Sequence, residues 1–300
     1  MHTTPNMEHL SIVWWNTSLY SYAAAKNMRR LDKKHALEVY EEIRALCLVN
    51  DIVFLGEFPN EGELKDLVVS VNELLLRSRS NYSVCGDNLF YKKGRSLEFH
   101  NAVVYNSNKL KLMCETNEDR SITKYRNIEK RRNYRVAQRI RFKSCDVERA
   151  MEFYIVHWRK RDGVNGEEEK ERKEKSADEI LARISGFDSD YPYKMVLGDF
   201  NNEPYEKTIR GLHGTRSIEY ARDNDALYNP FWTLMHGESG TIYSPNNENL
   251  RCNKPMFDFF LVNPVYCGGK CTFSPEIVNL NMSHRLNEHR PVKLTVTFCD

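Results

Sequence analysis

The chain has 300 residues, of which 41% are hydrophobic, 11% aromatic and 29% charged, with 14 Gly and 10 Pro; this composition excludes collagen-like, mucin-like and wholly disordered classes. Lys+Arg 44 against Asp+Glu 42 leaves a formal charge of +2, so net charge announces neither a nucleic-acid nor a membrane partner, and any polyanion site must be a local patch. The length suits one domain spanning 1–300, since single α/β units often reach about 250 residues.

The first residues carry no basic stretch, and the apolar run Leu10–Trp15 is too short for a signal peptide. No stretch approaches the roughly 20 apolar residues of a spanning helix. The expectation is a soluble cytoplasmic protein with no membrane partner. Eight scattered cysteines are then expected to be reduced. Cys267 and Cys271 form a close pair, but no second Cys/His pair completes a zinc tetrad beside them.

Leu10–Trp15 reads as a buried strand ending at Asn16. Ala36, Leu37, Val39, Tyr40, Ile43, Leu46 and Cys47 recur at helical spacing, and Asp51–Leu55 is a second strand ended by Gly56-Glu57. Leu64, Leu67, Val68, Val71, Leu74 and Leu75 mark another helix, after which Tyr82 to Leu112 reads as several short strands. Asn133–Phe142 and Glu152–Val156 are read as further strands. Arg159–Lys175, with seven basic and six acidic residues, reads as a charged insertion, a solvated loop or helix start. Ser176-Ala177-Asp178-Glu179 then reads as a capping box opening a helix that buries Ile180, Leu181, Ile184 and Phe187. Tyr193–Leu197 is a strand followed by GDFNNEP, with Pro204 expected in the first turn of a helix ending near Gly211. Strands at Phe257–Val262 and Pro291–Phe298 close the chain. Helices and strands that alternate, give way to strands and alternate again suit two mixed sheets packed face to face with helices outside, a four-layer α/β sandwich, although the element count alone does not separate this from a doubly wound sheet.

Polar residues collect at the C-terminal ends of the apolar runs: Asn16, Glu57, His157, and Asp199 with Asn201. Any one could be a turn residue; the succession points to a site. Asp258 among Phe257, Phe259 and Phe260 is costly to bury without a hydrogen-bond partner, and Glu288-His289 precedes the last strand. The ordered set WWN, GE, strand-terminal His157, GDFN, the Asp258 strand and EHRPV resembles the endonuclease/exonuclease/phosphatase superfamily over Trp14 to Val292. GDFN followed at a distance by HRPV is the specific part of that likeness.

The resemblance implies the deoxyribonuclease I-like four-layer fold and hydrolysis of phosphoric esters. By the resemblance, Glu57 matches a metal-binding glutamate, Asn16 lies near that ion, and Glu288 stands where the family has the aspartate of an SDH motif. Asp199 matches the residue that takes a proton from the attacking water, Asn201 orients that water and the phosphate, and Asp258 holds His289. His157 matches the histidine of the deoxyribonuclease I and sphingomyelinase branches. Independently of the likeness, Glu57 and Glu288 suit Mg²⁺, while two histidines can donate to the oxygens of an in-line transition state. Two departures stand out. Gly56 replaces a glutamine common in the family, a change outside the chemistry. The extra methylene of Glu288 moves its carboxylate by roughly 1.5 Å, so either the local backbone compensates or the second metal contact is weakened and the enzyme is slower or prefers Mn²⁺.

The segment Lys124–Lys143 holds nine basic residues and one acidic. Alternation places Arg135, Ala137, Arg139 and Arg141 on one strand face, readable as a phosphate-tracking stripe or as an edge kept soluble by charge. The first reading predicts a nuclease acting on DNA in preference to RNA. A phosphatase or phosphodiesterase for small phosphate esters or phospholipid headgroups, and a nucleic-acid-binding protein weakened at Glu288, are the alternatives.

Overall fold

The computed structural model describes residues 8–19, 33–58, 61–75, 82–85, 101–113, 123–127, 132–145, 149–158, 166–184, 190–212, 214–224, 226–235, 240–242, 255–263, 271–280 and 289–298. Among these, the order is β1 (Glu8–Asn16), α1 (Lys33–Val49), β2 (Ile52–Gly56), α2 (Glu61–Leu75), β3 (Tyr82–Cys85), β4 (Ala102–Asn106), β5 (Leu110–Leu112), β6 (Thr123–Asn127), β7 (Arg132–Ser144) and β8 (Ala150–His157). There follow α3 (Gly166–Ile184), β9 (Tyr193–Asp199), α4 (Lys207–Gly211), α5 (Ile218–Asp223), β10 (Asp258–Val262), β11 (Cys271–Ile277) and β12 (Val292–Phe298).

The strands form two mixed sheets, ordered β11-β12-β1-β2-β4-β3 and β10-β9-β8-β7-β5, with β6 paired onto β7. Each sheet contains one parallel pair near its centre, β1 with β2 and β8 with β9. Side chains alternate across each strand, so both faces of the central strands need cover. Ile12, Trp14, Ile52 and Phe54 face the other sheet, and the Phe54 and Phe153 rings meet there at 5.2 Å. Val13, Trp15, Val53 and Leu55 face outward, packed with Val39, Ile43 and Cys47 of α1 and Val68 and Val71 of α2. Ala177, Ile180 and Ile184 of α3 cover the outer face of the second sheet. This is the four-layer deoxyribonuclease I-like sandwich predicted from the sequence.

The helix-start reading of the charged insertion applies to its second half. Residues 166–175 are the first turns of α3, with Glu167, Glu168 and Glu169 in the first turn, where the helix dipole favours acids. Ser176 therefore lies inside the helix, where its hydroxyl donates to the Arg172 carbonyl instead of capping a start. Pro204 precedes α4 instead of opening it. The strands β6 and β11 and helix α5 were not anticipated. β11 lies at the sheet edge, the one place a strand tolerates Pro275. Of the cysteines, Cys47 and Cys145 are free thiols, Cys271 is buried at the start of β11, and Cys267 lies outside the described residues.

Candidate functional site

The parallel pairs bring the polar strand ends together. Asn16 sits opposite Gly56 at the end of β1 and β2; in the other sheet Asp199 is flanked by His157 on β8 and Asp258 on β10. Asn16, His157, Asp199, Asp258 and His289 thus meet where the inner faces of the two sheets open. Asp199 Oδ2 is the centre: Asn16 Nδ2 lies 3.3 Å away, His157 Nε2 3.6 Å and His289 Nε2 3.8 Å. His157 Nε2 is also 3.5 Å from Glu57 Oε1. The separations of 3.5 Å and more exceed good hydrogen bonds.

Local backbone aims these groups. The non-glycine residues with positive φ among those described are Ser18 (52°), Glu57 (52°) and Asn201 (46°), each just past a strand end at the site. Such left-handed turns cost about 1–2 kcal/mol for an ordinary residue and must be held by neighbours. Asn16 Oδ1 accepts from Ser18 N at 3.1 Å, and Asn201 N donates to Asp199 Oδ1 at 2.8 Å. Asn201 Nδ2 donates to the Trp158 carbonyl at 2.8 Å.

Asp258 is fully buried and has the histidine partner its sequence demands. His289 Nδ1 lies 2.9 Å from Oδ2, while Trp14 Nε1 donates to Oδ1 at 2.9 Å. The Thr241 hydroxyl oxygen accepts from the Asp258 amide at 3.1 Å, and Trp15 Nε1 donates to the His289 carbonyl at 3.1 Å. Sequence reasoning missed Trp14, Thr241 and the anchoring by Trp15; only Trp14 left a signal, being two residues from Asn16 and so on the same strand face. Gly56 also has a physical reason. A Cβ there would lie 2.6 Å from the Trp14 ring, so the indole occupies the space that a larger residue would take.

Electrostatics divides the groups. Burial alone would lower the His289 pKa, but the Asp258 carboxylate, with Asp199 and Glu57, outweighs it and raises it to about 9. Burial lowers that of His157, against the pull of Asp199, and favours its neutral form. Burial and Asp258 push Asp199 upward, while both histidines and the Asn201 amide oppose the rise. Burial lifts Glu57 to about 7.

Asp199, Asp258 and His289 offer ligand atoms within 4.8 Å of one another. Both Asp258 oxygens are already engaged by Trp14 and His289, so that pair is better read as an orienting dyad. Glu57 is the stronger cation candidate, because a divalent ion would offset the desolvation that burial imposes on it. Glu288 lies outside the described residues.

The arginine stripe divides in two. Arg139 and Arg141 face away from the cleft, 3.6 and 2.7 Å from the buried carboxylate of Glu152, with side chains only 14% and 16% exposed. Arg141 also lies over the Tyr191 ring at 4.1 Å. They balance a buried charge. Arg135 is placed differently: Gln138 pairs with Ile155, so residues 132–135 of β7 run on past the His157 end of β8, paired with β6. Its side chain lies outside the described residues.

No family model and no curated relative matches the sequence. Solved structures match over nearly the whole chain. An endonuclease/exonuclease/phosphatase family protein from Bacteroides thetaiotaomicron is 14% identical, with 98% of this chain and 99% of that one covered and a TM-score of 0.60. A mannosyl-6-phosphatase from the same organism is 14% identical, with 96% and 100% covered and a TM-score of 0.58. TDP2 from D. rerio, complexed with a single-strand DNA product, is 12% identical, with 96% and 99% covered and a TM-score of 0.54.

Proposed function

From the deoxyribonuclease I-like fold that this chain shares with endonuclease/exonuclease/phosphatase family proteins, we propose that it is a metal-dependent phosphodiesterase that hydrolyses nucleic acid, DNA in preference to RNA. The observation that carries the reading is the convergence of Asn16, His157 and His289 on Asp199 Oδ2, within 3.8 Å, at the open end of both sheets.

The chemistry follows from the charge states. Asp199, lifted by burial, is the general base that takes a proton from the attacking water, a role worth about 10²–10⁴-fold. Asn201, tied through its amide nitrogen to Trp158, orients that water. His289, charged at neutral pH, and neutral His157 donate to the phosphoryl oxygens; such fixed donors are worth roughly 2.7–4 kcal/mol each. Asp258 keeps the His289 Nδ1 proton in place so that Nε2 faces substrate. Water attacks phosphorus directly, a P–O bond forms as the bond to the leaving alkoxide breaks, and no covalent enzyme intermediate arises. Glu57, with Asn16 nearby and with Glu288 by family resemblance, would hold Mg²⁺ or Mn²⁺, which supplies charge neutralisation on the phosphoryl oxygens.

The polymer reading is supported by the β6–β7 hairpin, whose register pairs Lys124 with Arg135, Tyr125 with Tyr134 and Asn127 with Arg132 beyond the catalytic end of β8. The mannosyl-6-phosphatase of like fold favours a second reading, hydrolysis of a small phosphate ester. Incubation with Mg²⁺ or Mn²⁺ and plasmid, linear duplex, single-stranded DNA, RNA and small esters separates the two. Polynucleotide cleavage that EDTA abolishes supports the nuclease; cleavage of small esters alone overturns it. EDTA-resistant binding without hydrolysis identifies a binding protein.

A further inference from the structure

Lys173 belongs to the charged run that the catalytic scheme leaves unused, yet it is 2% exposed. It lies in helical register with Ser176, Ala177, Ile180 and Ile184, the buried face of α3. Its Nζ donates to the Asn201 carbonyl at 2.8 Å and to Asn202 Oδ1 at 2.5 Å. Asn202, itself fully buried, passes the connection on through Nδ2 to Glu206 Oε2 at 2.7 Å.

Asn201 is held in a left-handed conformation, with φ 46°, two residues beyond Asp199. Its amide N–H is committed to Asp199, its Nδ2 to Trp158 and its carbonyl to Lys173. The first two bonds fix where the side chain points. The third reaches from a different layer, the outer helix, and fixes the peptide plane that follows. We infer that Lys173 is a positioning residue, which locks the 199–202 turn so that Asp199 and Asn201 hold one geometry toward the attacking water. The inference rests on the hydrolase reading of the site. It assigns α3 a part in catalysis although no α3 residue touches the reacting atoms.

A lysine used only for packing would be replaceable by a chain of equal length without donors. The test compares the full-length protein with Lys173→Met and Lys173→Arg. Three quantities are read: kcat and KM on a model phosphodiester with Mg²⁺ or Mn²⁺, thermal unfolding, and amide hydrogen exchange at 199–202. Lys173→Met leaves the Asn201 carbonyl and Asn202 Oδ1 without their donor, so its unfolding midpoint is expected to fall by a few degrees while the chain remains folded at the assay temperature. Its kcat is expected to fall about 100-fold, the scale of a misplacement of about 1 Å, with KM within about threefold. Exchange at 199–202 accelerates, and Lys173→Arg, which restores donors, recovers most of the rate. A Lys173→Met enzyme with native kcat and native exchange overturns the inference, as does a loss of rate that Lys173→Arg fails to recover. Should Lys173→Met not fold, Lys173→Gln is read by the same measurements. If the native protein hydrolyses nothing, the function fails; exchange at 199–202 still decides the clamp, which is overturned if those amides are as protected in Lys173→Met as in the native chain.

Discussion

Asp258→Asn keeps the shape of a fully buried side chain and removes its charge. An amide at 258 can still accept the Trp14 N–H through its oxygen, but its NH₂ then faces His289 Nδ1, which can accept only if neutral. The substitution thereby withdraws the group that raises His289, and burial draws the imidazole back down. A histidine at about 9 in the folded chain, against 6.5 as its ordinary value, contributes about 3 kcal/mol of stability. The folded-state value is the raised one, so this contribution is present in full below about pH 6.5 and is lost as pH rises through about 9. The stability gap between native and variant chains, measured by urea unfolding, should be about 3 kcal/mol at pH 6 and should close toward pH 9.5. In the kcat–pH profile, the native enzyme should lose its charged donor only near pH 9, whereas the variant should lose it below pH 7. At pH 8 the variant should be about 10²–10³-fold slower, the cost of weakening one fixed donor. A variant with native activity at pH 8, or an unmoved alkaline limb, would refute the dyad.

Asp199→Asn should leave unfolding unchanged to within about 1 kcal/mol and depress hydrolysis about 10²–10⁴-fold; near-native turnover removes Asp199 from the mechanism. Gly198 has φ +144°, and a Cβ there would lie 1.9 Å from the Val156 carbonyl oxygen. Gly198→Ala should therefore cost at least about 3 kcal/mol in denaturant unfolding and displace the neighbouring Asp199, and a loss under about 1 kcal/mol would count against the close approach of β8 and β9. Glutamine at Lys124, Arg126, Arg132 and Arg135 should flatten the salt dependence of DNA binding by roughly 3–4 in slope. Glutamine at Arg139 and Arg141 should instead leave the slope intact and destabilise the fold by about 3 kcal/mol, because Glu152 is left buried without its cations; the opposite pattern restores the outer stripe as the interface.

The ends of β1, β2, β8 and β9 were legible because strands buried on both faces read as unbroken apolar runs, and in each parallel pair the polar residues that follow come to the same edge of the sheet, whereas the antiparallel β4 ends at Asn106 beside Asp51 on the far edge. That rule located Asn16, Glu57, His157 and Asp199 without knowledge of pairing. It failed for charged residues inside elements, for a specific reason. Period-two alternation assigned Arg139 and Arg141 correctly to one face of β7, but a strand's own sequence does not say what covers that face. The answer lay in Glu152, which pairs opposite Arg141 and which looks in sequence like a polar strand start. Lys173 is the same problem at helical period. The apolar stripe Ala177, Ile180 and Ile184, extended backward by one turn, reaches 173, so its inward direction was written in the sequence. What hid it was the reading of Arg159–Lys175 as solvent-facing from its charge density and of Ser176 as a helix start, which cut the stripe one turn short. A dense charge run that continues in phase with an apolar helix face is therefore a place to seek buried polar contacts, and here the run leads to the turn that carries Asp199 and Asn201.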